Sequence, residues 1–176
     1  MTEAGGPARP ILMLSMRCAI LTVSTSVAAG ASEDRSGLAL ALAAAAIGAE
    51  VVAQDVVSDD AGAIEAWLRA RVADGIELLL TTGGTGFTPD DVTPEATRAV
   101  IDRDAPGLAE AMRAQSRHHT PMGMLSRGVS GIASGSLIVN FPGNPKAVSE
   151  LFPVIAPVLG HAVGTLHREP GQPRGH

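Results

Sequence analysis

Three glycines fall within four positions in Thr81-Thr82-Gly83-Gly84-Thr85-Gly86, directly after an apolar run. Glycine adopts positive φ at no steric cost and lets the backbone come close to a ligand. Successive exposed N–H groups in such a turn form an anion-binding nest, and threonine hydroxyls add donors. The same glycines would serve equally well in a plain sharp turn. A few residues further on the chain turns acidic, at Pro89-Asp90-Asp91-Val92-Thr93-Pro94-Glu95-Ala96. A carboxylate beside a bound phosphate repels it unless a cation intervenes, and Mg²⁺ characteristically uses one or two carboxylates together with phosphate oxygens. A further acidic pair, Asp59-Asp60, comes after another apolar run. Either of its members could instead cap a helix.

A second strand-to-helix loop is Asn140-Phe141-Pro142-Gly143-Asn144-Pro145-Lys146. Gly143 between two prolines makes a rigid turn. Lys146 stands at the positive end of the next helix, where a cation is unfavourable unless an anion is bound nearby; a solvated surface lysine is the competing reading. The glycine turn is no Walker A loop, because no Lys-Ser/Thr pair comes after it, and it lacks the third glycine of the dinucleotide fingerprint. His118 and His119 are adjacent, so in a regular element their side chains diverge and a shared metal is disfavoured. Cys18 lies inside an apolar run and reads as a small core residue. Trp67 shares a helical face with Ile64 and Leu68.

The elements that position these loops alternate. Residues 18–23 read as the first strand, then a polar loop over 24–35 and an Ala/Leu-rich helix over 36–47 closed by Gly48. Residues 50–57 read as the second strand. Asp59 or Asp60 then caps a helix ending at Gly75, and 76–82 is a nearly continuous apolar strand, as suits a parallel strand covered on both faces. Helices are expected over 94–102, with Thr93 as cap, and over 106–115. Residues 129–132 and 137–141 read as a hairpin through Ser134-Gly135. A last helix over 146–166 should break at Pro153 and Pro157. The alternation predicts an α/β fold, a three-layer αβα sandwich with a mainly parallel sheet and a β-hairpin. In such a sheet ligands bind beyond the carboxyl ends of the strands. The domain is expected over 17–167, with a loose leader over 1–16 and a loose tail over 168–176.

The 176 residues suit one domain, and 45% hydrophobic residues can fill its core. Aromatics make up 2%, and 13 Lys and Arg face 18 Asp and Glu for a net charge of −5. That balance argues against nucleic-acid binding. One cysteine excludes an internal disulfide and a cysteine-based zinc site. The uncharged stretch 18–32 has too short an apolar part for an export signal, and 36–49 falls short of a membrane span. A cytoplasmic protein with no membrane partner is expected.

Four segments together resemble the molybdenum-cofactor biosynthesis proteins of the MogA/MoaB type: the glycine turn 81–86, Asp91-Val92-Thr93-Pro94-Glu95-Ala96, Leu125-Ser126-Arg127, and Phe141-Pro142-Gly143-Asn144-Pro145-Lys146-Ala147. The likeness runs from about Arg17 to Leu166. It implies a molybdopterin-binding fold and adenylyl transfer, in which the molybdopterin phosphate attacks the α-phosphorus of Mg-ATP to give adenylylated molybdopterin and pyrophosphate. It implies catalytic and Mg²⁺-binding roles for Asp59 and Asp91. Thr82, Gly83, Gly84, Thr85 and Gly86 would cradle phosphate, and Ser126, Arg127, Pro142, Gly143 and Lys146 would line the pterin side. Ser24 and Thr25 would lie on the nucleotide side, where relatives commonly carry Ser-Asp. The same resemblance implies a homo-oligomer, commonly a trimer and in some members a hexamer, and a molybdenum-insertion enzyme as partner. A non-catalytic module that binds or delivers molybdopterin is the alternative, and possession of both aspartates favours the enzyme.

Overall fold

The computed structural model describes residues 15–168 and Gly171. Most of the expected leader and tail lies outside these residues. β1 (Arg17–Val23), β2 (Glu50–Val57), β3 (Leu78–Thr82) and β6 (Ser136–Phe141) run parallel, and β5 (Ser130–Ala133) and β4 (Arg103–Asp104) extend the sheet antiparallel to their neighbours. The strand order is β2-β1-β3-β6-β5-β4. Period-two alternation sends Cys18 and Ile20 to one face and Ala19 and Leu21 to the other, each into its own apolar cluster. On the first face α2 (Arg35–Ala46), α5 (Gly107–His119) and α6 (Pro145–Leu166) cover the sheet; on the second lie α3 (Ala61–Ala73) and α4 (Thr93–Arg98). This is the three-layer α/β architecture expected. Every residue of β3 and β6 is buried, as suits parallel strands covered on both faces, and their buried polar side chains at Thr81, Thr82, Ser136 and Asn140 are hydrogen-bonded.

Several local expectations are corrected. The loop after β1 contains a one-turn helix, α1 (Thr25–Ala28), because Ser24 Oγ accepts from the Val27 amide. Of the two aspartates, Asp60 caps α3 by accepting from the Ala63 amide, which leaves Asp59 available for other work. Thr93 does not cap α4: Val92 holds that position, and the Thr93 hydroxyl donates to the Gly83 carbonyl at 2.9 Å. The helix expected over 94–102 stops at Arg98, and Arg103–Asp104 instead pairs with β5. The helix expected to end near Gln115 continues to His119. α6 runs through Pro153 and Pro157 without a break. Both prolines stand four residues apart on the solvent side, so the carbonyls they orphan face water. The opposite face buries Leu151, Phe152, Ile155, Leu159 and Val163, and this tertiary packing outweighs the local penalty. By length and composition α6 could cross a bilayer; here it packs along α2 and α5.

Candidate active site

The carboxyl ends of β1, β3 and β6 meet through glycine. Gly83 has φ +99°, and a Cβ on it would stand 2.2 Å from the Val23 carbonyl oxygen. Gly84 has φ +64°, and its Cβ would meet Thr93 Oγ1 at 2.4 Å. Neither position accepts a side chain. The Gly83 amide donates to the Phe141 carbonyl (3.1 Å), and the Thr93 amide donates to the Gly84 carbonyl (3.1 Å). The Thr82 hydroxyl donates to the Pro142 carbonyl at 2.8 Å, and Gly143 packs directly on Gly83. Buried Asn140 fixes the sheet beneath: its amide nitrogen donates to Thr81 Oγ1 (2.9 Å) and Thr97 Oγ1 (3.0 Å), and its oxygen accepts from the Val129 amide. The two loops singled out from the sequence are therefore one unit.

Asp91 faces this unit. Its Oδ2 accepts from the Thr88 amide (2.8 Å) and the Thr88 hydroxyl (2.7 Å), and it lies so close over Gly86 that a Cβ there would sit 2.8 Å away. Burial opposes its charge, but the Thr88 hydroxyl, the Thr88 and Gly86 amides and the Arg127 guanidinium together hold its carboxyl below the ordinary value. Asp91 is thus ionised at neutral pH. Both Thr88 donors fall on Oδ2, which leaves Oδ1 for a cation. Arg127 acts as a clamp: Nε donates to the Gly86 carbonyl at 2.7 Å, Nη2 to the Asp91 carbonyl, and Nη1 to Glu95. Its own amide donates to the Thr85 carbonyl at 2.9 Å.

A cavity of about 540 Å³ opens over the unit. One wall is Gly84, Thr85, Gly86, Phe87 and Asp91; a second is Pro142, Gly143, Asn144 and Ala147; the third comes from α5 and the 3₁₀ turn Pro121–Leu125, with Met112, Arg113, Ser116, Met122 and Leu125. An apolar pocket with a few convergent polar groups suits a flat heteroaromatic ligand carrying an anion. Among the site residues expected from the sequence, Gly84, Thr85, Gly86, Asp91, Ser126, Pro142 and Gly143 line it. Gly83 and buried Thr82 lie beneath it as supports. Arg127 holds the loops through its side chain and lines a neighbouring cavity instead. Lys146 is 78% exposed and pairs with Glu150 at 3.6 Å. The third wall, from α5 and the turn after it, was not foreseen.

Asp59 belongs to a different cluster. Its Oδ2 accepts from the Thr25 amide (2.9 Å) and the Thr25 hydroxyl (2.7 Å), tying the loops after β1 and β2 together. β1 lies between β2 and β3, so Asp59 springs from a strand about 10 Å from the one that feeds the glycine turn. It does not line the cavity. Ser24 is held at the same corner, its amide donating to the Val57 carbonyl. Among the described residues no three His, Cys, Asp or Glu side chains are grouped to hold a metal by themselves. Asp91 alone of the two carboxylates stands on the cavity wall, where it fits a hard cation that arrives with phosphate oxygens of its own. His118 and His119 lie outside the cavity lining, and His119 approaches Glu150 at 3.7 Å. Burial pushes the Cys18 thiol up to about 12, so it is no nucleophile.

A family model described as a probable molybdopterin binding domain matches residues 19–161. The chain is 39% identical over 153 residues to the molybdenum cofactor synthesis protein cinnamon of Drosophila melanogaster, covering 86% of this chain and 26% of that protein. It is 36% identical over 154 residues to the molybdopterin adenylyltransferase of Escherichia coli, covering 86% of this chain and 79% of that one. Several curated relatives are longer: the chain spans between 13% and 49% of the length of four of them. Among solved structures, the molybdopterin biosynthesis enzyme MoaB from Thermus thermophilus superposes with a TM-score of 0.82 at 42% identity, over 89% of this chain and 99% of that one.

Proposed function

We propose, since this chain belongs to the family of molybdopterin-binding domains, that it acts in molybdenum cofactor biosynthesis by adenylylating molybdopterin with ATP. The observation that carries this reading is the placement of an ionised Asp91 beside open backbone amides of a glycine turn, on the wall of a cavity sized for a pterin. The molybdopterin phosphate oxygen attacks the α-phosphorus of ATP, the bond to the β-phosphate oxygen breaks, and pyrophosphate departs. The nucleophile is already an anion, so the chain needs no strong general base. Its task is to bring two polyanions together. Gly84 and Thr85 amides grip phosphate, Met112, Met122 and Leu125 exclude water from the pterin face, and Asp91 would help orient the nucleotide by holding its cation. Asp91, on the cavity wall, would hold Mg²⁺ together with phosphate oxygens, and the ion would neutralise charge developing on the phosphates; Asp59 stands apart, fastened to Thr25. Thr25 and Ser24 border the nucleotide side.

A second reading, a module that binds molybdopterin without turnover, draws on the fastening of Asp59 to Thr25 outside the cavity. Incubation with molybdopterin, ATP and MgCl₂, followed by chromatography for adenylylated molybdopterin and pyrophosphate, separates the two. Saturable pterin binding with no product would leave the binding module standing and remove the enzyme. The exposed Leu38 and Leu42 of α2 and Val158 of α6, on packed neighbours, support a homo-oligomer, for which we propose a trimer; light scattering on the purified chain measures it. A cytoplasmic site of action suits the single, buried, unbridged cysteine. A molybdenum-insertion enzyme that accepts the product is the partner this chemistry calls for.

A further inference from the structure

A ligand that carries phosphate needs cationic contacts, and the two cations expected to provide them are committed elsewhere. Lys146 points to solvent and pairs with Glu150, and the Arg127 fork is spent on the Gly86 carbonyl, the Asp91 carbonyl and Glu95. Among the described residues, one cation does line the 540 Å³ cavity: Arg113, on α5. It also lines the adjoining cavity of about 480 Å³, so it stands where the two meet. Its Nη1 donates to the Gly128 carbonyl at 2.7 Å, which fixes the fork against the segment whose Arg127 amide reaches Thr85 of the glycine turn. No carboxylate of the described residues lies within ion-pair distance of it, whereas the half-buried Arg71 and Arg127 pair with Asp74 and Glu95. A partly desolvated guanidinium on a cavity wall, with no carboxylate of the described residues paired to it, is better satisfied when an anion arrives there.

We propose that Arg113 is the cationic phosphate contact of this cavity, beside the amides of the glycine turn, donating from its remaining N–H groups to a phosphate monoester or to a phosphate of a nucleotide. The assignment rests on the phosphate-transfer reading above for the identity of its ligands. A planar fork already held at one nitrogen loses little freedom on binding, and charge-assisted bonds to phosphate are the strong class.

The test is calorimetric titration of the full chain with molybdopterin and, separately, with ATP, for the wild type, Arg113→Gln, and the control Arg117→Gln. Arg117 lies one turn further along α5, is exposed and lines neither cavity. The expected result is a dissociation constant about 10- to 100-fold higher for molybdopterin in Arg113→Gln, a shallower salt dependence, and no change in Arg117→Gln. If ATP alone weakens by that factor, the phosphate contacted is the nucleotide's and Arg113 keeps its role. Affinities for both ligands within twofold of wild type overturn the proposal. Should Arg113→Gln not fold, Arg113→Met keeps the aliphatic stem without the charge, and affinities for both ligands within twofold of wild type overturn the proposal as well. Neither arm requires turnover. Arg113-dependent molybdopterin binding without product removes only the adenylyl-transfer reading, and normal turnover with undiminished binding in Arg113→Gln removes only this one.

Discussion

Arg127 holds the candidate site together, and the structure says which of its bonds matter. Arg127→Met keeps the aliphatic stem and deletes three contacts: to the Gly86 carbonyl, to the Asp91 carbonyl and to Glu95. The Glu95 carboxylate is 52% exposed, so that ion pair is worth about 0–1 kcal/mol. The two carbonyl contacts are partly buried and come from a charged donor, a class worth roughly 1.5–3 kcal/mol each and not additive within one fork. Arg127→Met should therefore cost about 2–4 kcal/mol, and Glu95→Gln less than about 1 kcal/mol. Equilibrium urea unfolding at one fixed protein concentration measures both. Because the lost bonds fasten the glycine turn to the Asp91 segment, Arg127→Met should also weaken molybdopterin binding while Glu95→Gln does not. Equal losses in the two variants would refute this reasoning, since the exposed pair would then carry what is assigned here to the carbonyl clamp.

Gly83→Ala would place a methyl 2.2 Å from the Val23 carbonyl at φ +99° and should destabilise by about 3 kcal/mol or more, again read by urea unfolding; a loss under about 1 kcal/mol would mean the turn relaxes freely. The Asp91 carboxyl is held below its ordinary value, so its contribution to stability is complete above about pH 4 and is lost as pH falls through the lowered pKa. Carboxyl NMR should place its midpoint below the ordinary aspartate value, and Thr88→Val should raise it; a wild-type midpoint above the ordinary value would contradict the geometry. Cys18, with its thiol pushed up to about 12, should react with a thiol reagent at about pH 8 only when the chain unfolds, and prompt labelling of the native protein would show that β1 opens.

The sequence reveals the parallel core because strands covered on both faces are mostly apolar, as Leu78-Leu79-Leu80 and Leu137-Ile138-Val139 show. It reveals the glycine turn because only glycine fits at 83 and 84. Other features depend on contacts distant in the chain. Strand order is one: nothing local says that β1 separates β2 from β3, so a reading that pairs Asp59 with Asp91 misses their separation across it. The uninterrupted α6 is another, since the penalty at Pro153 and Pro157 is local and the packing that outweighs it comes from the sheet and two other helices. Arg113 looks like any charge on an amphipathic helix until the Gly128 carbonyl and the cavity appear beside it. Likewise Arg127 is visible as a site residue, but its direction, toward three loop acceptors rather than the ligand, is set only by the folded positions of Gly86, Asp91 and Glu95.

Asp91 on the wall of a pterin-sized cavity is the centre of the account, and Asp91→Asn tests it in a single comparison. The amide keeps the size of the side chain and removes the charge that the Thr88 donors and Arg127 stabilise. Pyrophosphate release from molybdopterin, ATP and MgCl₂ should fall at least a hundredfold, a loss of about 2.7 kcal/mol or more in transition-state stabilisation, while the dissociation constant for molybdopterin stays within a few-fold of wild type. Turnover near the wild-type rate in that variant would contradict it.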